Sequence, residues 1–289
     1  TICAYGIVFI VGYNAVSGVL RGLGDSKTPL LFVAIACVAN IAADFLFVGG
    51  FGWGAPGAAV ATVFSQALSL LLSLIYLAAR GLIGKFRRQR PRARTAHARK
   101  ILGVGLPVAA QEGLVNASFL VITAIVNRLG VTASAAVGVV EKLIVFTMLP
   151  TTAFASAVAA MTAQNLGAGL SRRAYEGLRG GIVLSLAFGV SFFLLAQWDA
   201  ARFVALFTAD GQVIAAGARY LQSYSLDLIV VCFVFCMNTY FSGSGHPVFP
   251  LVHSFASTAL IRLPLSFWMS NAAEDAMFYI GMAAPAASI

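Results

Sequence analysis

Leu20-Arg21-Gly22-Leu23-Gly24-Asp25-Ser26-Lys27-Thr28-Pro29 is a polar, turn-rich stretch inside a long apolar run. Two glycines permit a tight reversal, Asp25 and Ser26 can bond freed backbone groups, and Pro29 suits the first turn of a new helix. Arg21 and Lys27 make it basic. The stretch reads as a short cytoplasmic loop joining two membrane-spanning helices. A degraded copy lies far along the chain, at Phe241-Ser242-Gly243-Ser244-Gly245-His246-Pro247-Val248-Phe249-Pro250-Leu251. Gly22, Gly24, Pro29 and Leu30 recur there, at a constant offset, as Gly243, Gly245, Pro250 and Leu251.

The rest of the chain fits a membrane. Of its 289 residues, 60% are hydrophobic and 10% charged, against about 25% charged in a soluble domain. Mean hydropathy is +0.90. Apolar stretches of about 20 residues recur, the length that crosses a bilayer as a helix. Short alternating segments of the kind a β-barrel needs do not. The net charge of +9 would suggest nucleic acid in a soluble protein. Here the bases cluster beside spans, between Arg80 and Lys100, so they read as a positive-inside topology signal that can also meet anionic lipid headgroups, not as a nucleic-acid surface.

In order, spans are expected over Ile2–Leu20, Pro29–Val48, Gly57–Ala79, Ile101–Leu129, Thr132–Met161, Arg173–Gln197, Val213–Phe241 and Phe249–Ser270. Gly49–Pro56 is a turn with Trp53 as an interfacial anchor, and Trp198–Thr208 a short amphipathic piece at the outer interface. Met277–Ile289 is too short to span. Residues 80–100 form a basic cytoplasmic linker between 1–79 and 101–289. Alternating sides from that linker put Arg21, Lys27, Arg172 and Arg173 inside, and Asp199, Asp210, Glu274 and Asp275 outside. Both copies of the opening loop then face the cytoplasm, so the repeats are parallel, a transporter architecture. The repeat also implies spans before Thr1, giving about six per half and about twelve in the intact protein, of which about eight are complete in this chain.

Asp44 and Asn40 stand out. An ionisable group inside a span is a functional candidate by default. Asn40 lies one turn earlier on the same helix face. A carboxylate beside an amide oxygen offers hard ligands for a small cation, or a protonatable site with a hydrogen-bond partner. Glu112 and Asp227 are the other acids well inside spans, candidates to line a cavity and attract cationic compounds, with Gln111 and Asn116 on the same wall. Glu141 and Lys142 read as structural or interfacial, and Arg262 as an anchor of helix ends. His97, His246 and His253 have no partners at metal spacing. Cys3, Cys37, Cys232 and Cys236 read as small membrane-buried residues, with no disulfide or metal site implied.

The sequence resembles the multidrug and toxic compound extrusion (MATE) family. The resemblance rests on Arg21–Pro29, on Asn40 and Asp44 followed by Gly57-Ala-Ala-Val-Ala-Thr62, on Gln164-Asn-Leu-Gly-Ala-Gly169 before a basic pair, and on Arg262-Leu263-Pro264. It implies an all-α, two-lobe membrane bundle of parallel six-helix repeats, with 1–79 the end of the N-terminal lobe and 101–289 the C-terminal lobe. It implies an antiporter that expels organic, often cationic, compounds in exchange for sodium ions or protons. Asp44, Asn40 and Thr62 would help bind the coupling cation, with Ser17 expected to face the same cavity. Sodium at Asp44 is then the one metal in play. No other cofactor is expected, because no Walker-type loop is present. The expected setting is the plasma membrane, with small organic compounds and lipid as partners and the monomer as the working unit.

Two other readings compete. A lipid or lipid-linked oligosaccharide flippase of the same superfamily would want a strongly cationic cavity, and this chain offers Asp44, Glu112 and Asp227 instead. A membrane-embedded enzyme would need clustered His or acidic ligands near one interface, and none is evident.

Overall fold

The computed structural model describes residues 2–81, 91–272 and 276–288. Among them, eight helices are long and apolar enough to cross a membrane. The chain divides into two compact units, Thr1–His97 and Ala98–Ile289.

The first unit has three spans. α1 (Ile2–Gly22), α2 (Lys27–Asp44) continued by a π-helical stretch (Phe45–Gly50), and α3 (Gly54–Ala79) follow one another. α3 packs against both others. Its inner face is a file of small residues, Ala61, Ser65, Ser69 and Ser73, all buried. The three serines return their hydroxyls to carbonyls of their own helix, Thr62, Ser65 and Leu70, at 2.8, 3.1 and 2.8 Å. Small side chains let membrane helices approach closely, and back-bonding leaves no hydroxyl unpaired. Leu30, Leu31, Val38 and Phe45 project outward, as lipid-facing residues must where tails are as apolar as leucine.

The loop between α1 and α2 closes as its glycines require. Asp25 N–H bonds Leu20 O at 3.0 Å and Gly24 N–H bonds Arg21 O at 3.0 Å, with Gly24 at φ +90°. This is the Schellman helix end. The copy repeats it bond for bond: His246 N–H to Phe241 O at 2.9 Å and Gly245 N–H to Ser242 O at 3.1 Å, with Gly245 at φ +85°. The Gln164–Gly169 motif ends its helix the same way, through Leu170 N–H to Asn165 O at 2.8 Å and Gly169 N–H to Leu166 O at 3.0 Å.

The second unit takes in α4 (Pro91–Asn127) from Ala98 onward, then α5 (Val131–Gly167), α6 (Ser171–Ala205), α7 (Gly211–Gly243), α8 (Val248–Ala256) continued by a second π-helical stretch (Ser257–Arg262), α9 (Leu263–Ala272) and α10 (Ala276–Ser288). α7 is its centre, packed by α5, α6 and α10. The core joins Val137, Val140 and Ile144 of α5 to Leu221 and Tyr224 of α7 and Ile280 of α10, with Ile122 and Val126 bringing in α4.

Several helices outrun their apolar stretches. A helix stops at a glycine or a cap, not where hydrophobicity ends, so α5 continues from Met161 to Gly167. The amphipathic piece expected at Trp198–Thr208 is the tail of α6 beyond a break at Asp199, whose backbone is non-helical (φ −150°, ψ 66°). Asp199 caps the new segment by accepting from Arg202 N–H at 3.2 Å. Trp198 is 86% exposed while Ala200 and Val204 are buried, so one face of this tail docks on the core and does not merely lie at an interface. Cys232 and Cys236 are buried between helices, and Cys3 and Cys37 lie on outward faces of the first two spans. Much of the basic linker, including Lys85, Arg87, Arg88 and Arg90, and the acids Glu274 and Asp275 lie outside the described residues.

Candidate functional site

In the first unit the candidate centre is the end of α2. Asn40 and Asp44 are one turn apart and each is half-buried. Asn40 Nδ2 and Asp44 Oδ1 are both shielded and have no hydrogen-bond partner. A buried polar atom left unpaired costs about 1–3 kcal/mol, so two on one helix face mark a place kept for something else to bind. Asp44 is the last residue before the π-helical stretch. There the bonds reach five residues back, as in Phe51 N–H to Leu46 O at 2.9 Å. Such widened turns recur at functional sites. Within them Phe47 stacks on Trp53, centroids 5.4 Å apart.

The other two residues expected here are less engaged. Thr62 is exposed on α3 and donates its hydroxyl to Ala58 O at 2.9 Å, leaving its oxygen lone pairs as the open ligand. Ser17 is 5% exposed on α1. No hydrogen bond among the described residues joins either side chain to Asp44. The geometry thus gathers Asn40 and Asp44, and places Thr62 and Ser17 on neighbouring helices without a direct link.

The second unit holds its own cavity, about 140 Å³. Gln111, Glu112 and Asp227 are among the residues that line it. Asp227 is 4% exposed and its carboxylate is already occupied. Ser288 Oγ donates to Oδ1 at 2.6 Å. Asn116 faces elsewhere, toward a second pocket it shares with Glu141, Phe119, Met148 and Tyr220. Phe119 and Met148 line both spaces.

Two residues passed over in the sequence belong to the first cavity: Arg262 and His253. Arg262 ends the second π-helical stretch. Its guanidinium lies over Phe119, Cζ 4.3 Å from the ring centroid, and Nη1 donates to Ser118 Oγ at 3.3 Å. Its Nε and the Nδ1 of His253 are buried without partners. The rule that singled out Asp44, an ionisable group inside a span, applies equally to Arg262. Its place beside Pro264 drew it toward a helix-end role instead. Among the described residues no group of three His, Cys, Asp or Glu side chains could hold a metal ion.

A family model described as MatE matches residues 107–268. "Probable multidrug resistance protein YpnP" of Bacillus subtilis is 30% identical over 261 residues, covering 90% of this chain and 58% of that protein. "Probable multidrug resistance protein YoeA" of the same organism is 27% identical over 290 residues, covering 98% and 63%. A crystal structure of a MATE protein in complex with MaL6 superposes with a TM-score of 0.90 at 18% identity, covering 99% of this chain and 65% of the other. The chain therefore spans less than two thirds of the length of these relatives.

Proposed function

The chain belongs to the MatE family of multi-pass membrane transporters, and from that premise we propose that the protein exports small organic, often cationic, compounds by antiport with a cation bound at Asp44. The observation that carries the reading is the pair of unpartnered buried atoms, Asp44 Oδ1 and Asn40 Nδ2, beside a π-helical turn inside a span. A sodium ion or a proton satisfies Asp44 Oδ1 directly. Asn40 can turn its carbonyl oxygen to a metal ion or keep its NH₂ toward the carboxylate. Thr62 and Ser17 supply further oxygen from the flanking helices.

Coupling follows from linkage. Neutralising Asp44 changes the free energy of closing lipid and protein around it, so the ion shifts access only by binding one state better than the other. Entry of the cation favours the state that releases the compound outward, and its departure to the cytoplasm resets the carrier. The relatives' multidrug resistance names support export of drugs over lipid flipping. On this reading residues 1–79 end the N-terminal lobe, 80–100 are a cytoplasmic linker, 101–289 belong to the C-terminal lobe, and the protein works as a monomer in the plasma membrane.

The test is efflux of a fluorescent cationic dye from cells carrying the full-length protein, with Asp44→Asn alongside, under separately imposed sodium and proton gradients. The variant should lose at least about tenfold in gradient-driven efflux, the scale of one charge-assisted contact. The gradient that drives the wild type names the ion. Undiminished efflux in Asp44→Asn would remove the coupling role.

A further inference from the structure

We propose that the cavity of the second unit is a receptor for an oxyanion, a carboxylate or phosphate group carried by a transported compound, with Arg262 and His253 as its donors. The inference rests on the reading of the protein as an exporter only in calling the anion part of a cargo; the binding site itself is argued from the second unit alone.

The wall of the cavity is asymmetric in what it leaves open. Its buried acid, Asp227, already accepts from Ser288 Oγ, so part of its accepting capacity is spent. Arg262 Nε and His253 Nδ1 are buried and unbonded. Among the described residues Arg262 makes one long hydrogen bond, to Ser118 at 3.3 Å, and no ion pair. Asp227 and Glu141 lie close enough to act on it through space. Neither carboxylate occupies its donors. Phe119 fixes the guanidinium plane from one side, which pre-organises the fork for a planar, two-oxygen acceptor. His253 adds a second donor when its proton sits on Nδ1. The two buried donors in this wall that still want an acceptor are therefore Arg262 Nε and His253 Nδ1.

Size sets the class of ligand. A drug-sized molecule needs a pocket of about 300 Å³ or more, while this one is about 140 Å³. It suits an acid headgroup with a small apolar body against Val231 and Phe235, the remainder extending past exposed Glu112. A compound bearing both an oxyanion and an amine would meet Arg262 within and Glu112 at the mouth.

The test is calorimetric titration of the purified full-length protein in detergent with benzoate, phenylphosphate, benzamide and benzylammonium. At least one of the two anions should bind about tenfold or more tightly than benzamide, as expected for charge-assisted bonds. Whichever anion binds more tightly assigns carboxylate or phosphate. Arg262→Gln should weaken that binding about tenfold, and Arg262→Lys less, since it keeps charge but loses the fork. His253→Gln should weaken it by roughly threefold, the loss of one neutral donor. Benzamide matching both anions, benzylammonium binding tightest, or Arg262→Gln leaving affinity unchanged would overturn the proposal. If Arg262→Gln proves unfolded by its melting curve, Arg262→Lys and His253→Gln decide, and undiminished affinity in both would overturn it. The measurement needs no gradient, so its failure leaves the Asp44 mechanism standing, and failure of the Asp44 test leaves this site standing.

Discussion

Asp25 shows how much one side chain can organise. Its Oδ1 accepts from Thr28 N–H at 3.1 Å. Its Oδ2 accepts from the Thr28 hydroxyl at 2.7 Å and the Tyr76 hydroxyl at 3.0 Å. Arg80 lies over the Tyr76 ring at 5.1 Å. The Thr28 hydroxyl and amide hold the carboxyl below its ordinary value of 3.8, aided by Tyr76 and Arg80. A group with a depressed folded-state value stabilises above the unfolded value, and that contribution fades as pH falls through the folded one. Protection of the Thr28 amide from hydrogen exchange, corrected for intrinsic rate, should hold from neutral pH down past the ordinary carboxylate value and fail only below it. Asp25→Ala should lower protection roughly three- to tenfold at neutral pH, the worth of an N-terminal cap. Protection already failing well above 3.8 would mean the carboxyl is not held down by these bonds. At this scale the sequence is half legible. Asp44 stands out as a candidate because charge inside a span is costly whatever surrounds it. Arg262 and His253 were not placed in the cavity, because which way a long side chain turns depends on Phe119 and Ser118, far away in the chain. The unpartnered state of Asn40 Nδ2 and Asp44 Oδ1 is likewise a matter of distances that spacing alone does not supply.

At the scale of elements, the seam between α6 and α7 is made by small residues. Gly181, Ser185 and Gly189 on α6 face Cys232 and Cys236 on α7, with Cys232 Sγ donating to Ser185 O at 3.2 Å. A Cβ on Gly189 would come within 2.7 Å of Cys232 Sγ and 2.8 Å of Leu228 O. The second of these is backbone and cannot turn aside. Gly189→Leu should therefore force the helices apart at a cost of about 1–3 kcal/mol, read as a lower melting temperature in detergent. Gly180→Leu, where a Cβ meets nothing within 4 Å, should melt close to wild type. Equal melting of the two variants would contradict close packing at this seam. Helix existence was readable from hydropathy throughout, since a bilayer imposes one length and one polarity. The π-helical stretches and the break at Asp199 were not. A widened turn needs only one extra residue per turn and leaves the hydrophobic pattern intact.

For the molecule as a whole, the repeat predicts a sidedness. Leu23, 66% exposed, and Val248, 58% exposed, flank the two matching loops, and Trp53 lies at the opposite end of α2. In a full-length protein freed of its natural cysteines, Leu23→Cys and Val248→Cys should both react with an impermeant maleimide only after cells are permeabilised. Trp53→Cys should react in intact cells. Labelling of Leu23→Cys and Val248→Cys from opposite sides would refute parallel repeats. The repeat was legible because glycine and proline punctuate loops with few substitutes. The boundary between units was only approximately so, since a basic run announces a linker without saying where the next helix starts.

The twin loops bear on descent. Both copies keep the glycine and the two backbone bonds that close the helix end, while Asp25 has become His246 and Thr28 has become Phe249. The copies share the glycine at positive φ that closes the turn, with Gly22, Pro29 and Leu30 also matched, but not the side chains that bond across it in the first copy. The same divergence reaches the following spans. The offset that pairs Gly22 with Gly243 pairs Asp44 with Leu265 and Ile41 with Arg262. Sister helices have thus come to carry opposite charge about one turn apart. A transporter built from twins could in this way divide its labour, one inherited helix specialising toward cations and the other toward anions, without any change of fold.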